Sequence, residues 1–144
     1  MPEGLQVRIH ASTIKSFKSR AWKTYPNEHI EGMFGSIQSV GFDIKIFTAV
    51  TVLKTSPMCL YYRDNPDDLA EIERLTGSKF LGYIHTHIGK KTCEHLSSAD
   101  YADALENAET LTGICHLYQS SGRRYSVLHF EIPRSPMRLK ISRL

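Results

Sequence analysis

Cysteine is scarce: Cys59, Cys93 and Cys115 are three in 144 residues, an odd number with no CxxC spacing. This excludes a disulfide framework and suits reduced thiols in a reducing compartment. Long apolar runs are also missing. The longest, near Ile46 to Leu53, is too short to cross a bilayer, and the opening MPEGLQVRIH has no apolar signal core. A soluble, cytoplasmic protein with no membrane partner is expected. Neither an internal repeat nor a low-complexity segment is found, which excludes solenoids and flexible linkers.

Excess charge is small as well. Eighteen Lys and Arg against fifteen Asp and Glu leave a formal +3, which with 41 % hydrophobic residues excludes an intrinsically disordered chain. The excess is concentrated at one end. Arg123, Arg124, Arg134, Arg138, Lys140 and Arg143 face only Glu131 over 123–144, making that stretch +5 and the remainder −2. The length suits one domain, and a chain of this size buries roughly 68–70 % of its extended surface without a structural metal. Any metal must therefore be justified by chemistry.

Periodicity supplies the elements. Leu5, Val7 and Ile9 alternate as a short strand, and Ser12 is read as the N-cap of a helix carrying Ile14, Phe17 and Ala21 up to Pro26. Residues 32–40 and 42–53 read as two strands meeting at Gly41, with 58–62 as an extension of the sheet. Asn65, Pro66 and the acids Asp67 and Asp68 start a short helix that Gly77 ends. Strands are expected over 79–87, 111–118 and 123–132, with Ser120, Ser121 and Gly122 turning the last pair, and a helix over 97–109. The order predicts an α/β domain with a single mixed, curved β-sheet flanked by helices over 1–132. After Pro133 a basic C-terminal tail, 133–144, is expected.

The chemistry concentrates in His85-Thr86-His87 and Ser97-Ser98-Ala99-Asp100. Histidines at i and i+2 on a strand point to one side, so both imidazoles reach one ion, and Asp100 in the first turn of the next helix can close a third position. Neutral imidazole is a preferred zinc ligand, and three protein ligands leave a fourth place for water. The same Ser-x-x-Asp is also a helix-capping arrangement, and a His-x-His is common without metal. Glu28, ahead of Gly32-Met33-Phe34-Gly35, is a candidate general base, with Glu31 as its rival. His10, His29, His116 and His129 lack partners at ligand spacing, and Cys59 and Cys115 read as buried small hydrophobes.

Taken in order, Glu28, His85-x-His87 and Ser97-x-x-Asp100 resemble the signature of the JAMM metalloproteases, the catalytic MPN domains. In that family the glutamate stands seven residues before a glycine, as Glu28 stands before Gly35. The likeness spans roughly 5–132 and implies the cytidine-deaminase-like MPN fold. It further implies His85, His87 and Asp100 as zinc ligands, Glu28 as general base and Ser97 as a donor to the oxyanion. The implied reaction is hydrolysis of the amide after the C-terminal tail of ubiquitin or a ubiquitin-like protein, so the implied partner is such a protein or its conjugates. Two features depart from the pattern. Ile88 replaces the proline after the second histidine, and Asp100 follows His87 by thirteen positions rather than eleven. The lengthened loop holds Cys93 and His95, either of which is a candidate for the water position in a resting state. Two other function classes stay open: a nucleic-acid-associated module using the basic end, for which the interleaved aromatics of a single-strand binder are missing, and a non-catalytic MPN scaffold. Nucleic acid is not expected as the partner, and the sequence does not specify an oligomeric state.

Overall fold

The computed structural model describes residues 5–63, 65–89, 98–106, 109–134 and 138–144. In chain order the elements are β1 (Gln6–Ile9), α1 (Ala11–Thr24), β2 (Ile30–Gln38), β3 (Gly41–Ala49), β4 (Thr51–Thr55), β5 (Leu60–Arg63), α2 (Pro66–Thr76), β6 (Lys79–Ile88), α3 (Ser98–Glu106), β7 (Thr112–Ser120), β8 (Arg123–Glu131) and β9 (Lys140–Arg143). Seven strands form one mixed sheet in the order β8-β7-β6-β2-β3-β1-β9. The sheet is curved and nearly closed: Glu131 at the end of β8 bridges to Arg138, and Leu139 N–H donates to the Phe130 carbonyl. Among the described residues no helix is long and apolar enough to cross a membrane.

The expected α/β architecture is present. Helix α1 buries Ile14, Phe17 and Ala21, one stripe at helical spacing, in a core with Val7, Ile9, Met33, Ile44, Leu81, Leu117 and Phe130. Helix α2 begins as expected, with Asn65 Oδ1 accepting from Asp68 N–H and Pro66 in the first turn. Gly35 sits at a bulge in β2, where a Cβ would stand 1.8 Å from the Asp43 carbonyl oxygen, so only glycine lets β2 and β3 approach there.

Several expectations are corrected. Ser12 does not cap α1: the N-cap is His10, without a side-chain bond, and Ala11 N–H donates instead to the Leu144 carbonyl. The strand expected over 42–53 breaks after Ala49, and residues 58–62 do not extend the main sheet. Strands β4 and β5 pair with each other as a separate hairpin. The segment expected as a basic tail carries a strand, since β9 lies parallel to β1 from Gln6 opposite Lys140 to Ile9 opposite Arg143. Its anchors are Leu139, which is buried, and Ile141, which packs on the core. These two alternating apolar residues sit within a charged segment whose composition masks them.

The buried Leu139 side chain gives β9 its hold on the core, so Leu139→Ala should cost about 2–5 kcal/mol. Urea unfolding should show an earlier midpoint with little change in slope.

Candidate metal centre

Strand β6 runs between β2 and β7, antiparallel to the first and parallel to the second. Its residues 81–86 are all buried, so the sheet is covered on both faces there. His85 and His87 project to one side near the strand's C-terminal end, and α3 brings Asp100 to them in its first turn. The Nε2 atoms of the two histidines stand 3.0 Å apart. Asp100 Oδ1 lies 3.3 Å from His85 Nε2, and Oδ2 lies 3.1 Å from His87 Nε2.

Donors held at about 2.0–2.1 Å around a tetrahedral ion stand about 3.3 Å from one another. The triad has this spacing and an N,N,O donor set, so it could hold a metal ion. Its field also favours positive charge. Burial works against protonating His85, yet the hydrogen bond and charge of Asp100, with Glu28 and Glu109 behind it, raise its pKa overall.

The two glutamates take different positions relative to the triad. Ile30 pairs with His85, so the same register carried back two residues sets Glu28 beside His87. Thr86 confirms the alignment, with its N–H donating to the His29 carbonyl and its Oγ1 accepting from His29 N–H. Glu28 lines a 440 Å³ pocket with His85, His87 and Asp100. Burial raises its pKa; His85 and His87 oppose the shift and Asp100 adds to it. A carboxylate so placed is a better proton acceptor than one in water.

Glu31, three residues on, faces the other way. Both its oxygens accept from Arg20, Nε to Oε2 and Nη2 to Oε1 at 2.8 Å each, and Oε2 is 2.6 Å from His29 Nε2. Burial alone would raise the Glu31 pKa, but the hydrogen bonds from His29 and Arg20 and their charges hold it below 4.5. Glu31 is thereby held by Arg20 and His29 and does not line the pocket of the triad.

The remaining site expectations resolve unevenly. Ser97, Cys93 and His95 lie outside the described residues. His29 is partnered by Glu31 and Thr24. His116 and His129, expected to be unpaired, have Nε2 atoms 3.3 Å apart, and the His116 ring meets His87 edge-on at 5.3 Å. Burial first, then His87 and His129, pull His116 down to about 4, so it is neutral at pH 7. The β7–β8 turn could have revealed this pair. Ser120 opposite Arg123 puts Ile114 opposite His129 and His116 on the diagonal. Cys115 is buried as expected, and burial pushes its thiol up to about 12. Cys59 is only half-buried, with Sγ 3.1 Å from Ser56 Oγ at the pocket wall.

Sequence reasoning missed Glu109. It is buried on the same pocket, where its Oε1 accepts from Tyr83 N–H at 2.8 Å and Thr112 Oγ1–H at 3.2 Å. Burial is the main cause of its rise to about 7, against the opposing pull of those two hydrogen bonds. No sequence motif marks it, because its neighbours come from β6 and β7.

No family model and no curated protein matches this chain. Among solved structures, the fold is similar to the solution structure of protein DSY2949 from Desulfitobacterium hafniense. The TM-score is 0.67 at 14 % identity, over 96 % of this chain and 93 % of the other. At that identity the likeness concerns the fold alone.

Two outcomes are expected. Titration with a divalent transition metal should show one tight ion per chain, and His87→Ala or Asp100→Ala should weaken it by at least about tenfold, read by calorimetry. Glu31→Gln should lower stability by about 1–3 kcal/mol, toward the lower end because Arg20 is half-exposed. A depressed folded-state pKa gives stability that is complete above 4.5 and lost as pH falls through the folded value. The gap between parent and variant in urea should therefore close in acid.

Proposed function

We propose that this protein is a zinc-dependent amide hydrolase of the JAMM type with the MPN fold, acting on the C-terminal tail of a ubiquitin-like protein. The observation that carries the reading is the convergence of Glu28 with His85, His87 and Asp100 in one pocket, while Glu31 is tied to Arg20 and His29.

His85, His87 and Asp100 would hold the zinc. A bound zinc supplies Lewis acidity: it polarises the amide carbonyl and brings the pKa of water to about 7. Glu28 takes the proton from the attacking water and returns it to the leaving amine. Its raised pKa suits that transfer, since burial makes the carboxylate a stronger proton acceptor than one in water. The neutral His116 beside His87 adds no competing positive charge to the site. Ser97 keeps the role the resemblance implies, donation to the oxyanion.

An extended tail is the substrate form that fits the pocket wall. Strands β4 and β5 form their own two-stranded sheet, and the turn between them carries Met58, which is 91 % exposed. Tyr61, also exposed, follows on β5. Backbone groups on such a hairpin can pair with an incoming strand, and its apolar side chains can hold alternate residues of that strand.

The test is zinc content by mass spectrometry together with cleavage of a ubiquitin-like fusion by the parent and by Glu28→Gln. Zinc should be present in both, with turnover in the variant lower by about 10²–10⁴-fold. A parent without zinc, or a variant that cleaves at the parental rate, would overturn the proposal.

A further inference from the structure

Glu109 has no part in the hydrolysis described above, yet it is a buried carboxyl on the wall of the same pocket. Its Oε1 is fixed by Tyr83 and Thr112, whereas Oε2 has no hydrogen-bond partner among the described residues. The backbone is shaped around it. Gly82 has φ +152°, and a Cβ there would stand 1.9 Å from the Leu111 carbonyl oxygen and 2.9 Å from Glu109 Oε1.

The surroundings match one ligand chemistry. Asp103 of α3 is a second acid on this wall, and Tyr62 and Tyr83 meet edge to face at 5.0 Å beside it. No lysine or arginine lines the pocket among the described residues. Carboxylates next to aromatic rings favour an ammonium or guanidinium group over a neutral or anionic one. Burial, which pushes Glu109 up to about 7, is the penalty that an entering cation relieves.

The geometry points to a subsite, formed by Glu109, Asp103, Tyr62 and Tyr83, for the cationic side chain of a lysine or arginine near the scissile bond of the substrate. The spacing suits this assignment. Tyr83 lies two residues before His85 on the same face of β6, roughly 6–7 Å along the strand. An extended peptide covers that distance in about two residues. The substrate side of this inference rests on the hydrolase reading, but the binding does not.

The experiment uses two fluorescein-labelled hexapeptides of glycine and alanine that differ in one central residue, lysine or norleucine. Binding is read by fluorescence anisotropy near neutral pH, on zinc-loaded and on chelator-treated protein. The lysine peptide should bind about tenfold tighter in both states, and Glu109→Gln should reduce the preference to about twofold or less. Gln keeps an acceptor for Tyr83 and Thr112 while removing the charge. Where circular dichroism shows that variant unfolded, Asp103→Asn on the exposed helix surface decides, with an expected loss of about threefold in the preference. Equal binding of the two peptides, binding of neither, or a preference unchanged in the folded variant overturns the subsite. Cleavage is followed separately on the ubiquitin-like fusion. A preference without cleavage sinks the hydrolase reading alone, and cleavage without a preference sinks the subsite alone.

Discussion

The register of β2 on β6 is the constraint on which the site depends. Side chains alternate along a strand, so a slip of one residue would turn Glu28 away from His87 and bring its neighbours to the pocket. The pairing of Ile30 with His85 is held from both sides. His29 and Thr86 exchange a backbone and a side-chain hydrogen bond in register, and Glu31 is clamped from the opposite face by Arg20 of α1. A slipped register would leave Glu31 buried without its cation, which costs far more than a lost surface contact. The ion pair on one face thereby secures the placement of Glu28 and the histidines on the other.

Burial of charge is the second organising feature. The pocket gathers Glu28, Asp100, Asp103 and Glu109 around two histidines, with Glu109 buried and Asp103 exposed at the rim. Carboxyls gathered in this way favour a cation among them. A metal ion at the triad and a basic side chain at Glu109 would be separate ways of meeting the same electrostatic demand. Neutral His116 borders the triad without adding charge.

How far the sequence could be read depended on whether a feature was local. His85 and His87 were legible because a strand repeats every two residues, and α2 because its cap, proline and acids are contiguous. The segment 133–144 was misread because charge dominates its composition, and only Leu139 and Ile141 mark the strand that β1 requires as a partner. The His116–His129 pair and the separate β4–β5 hairpin were missed for a related reason: each depends on pairing between segments, which residue type alone does not specify.

Sequence by itself determined the class of the fold, the ligand-type residues and the two glutamates eligible as a base, since these follow from periodicity and side-chain chemistry. Tertiary structure alone decided that Glu31 is tied to Arg20 and His29, the distances at which Asp100 meets both histidines, that β9 nearly closes the sheet and that Glu109 shares the pocket. Each of these is a distance between segments far apart in the chain, and such distances are set by strand register and by the packing of α1 and α3, not by local preference.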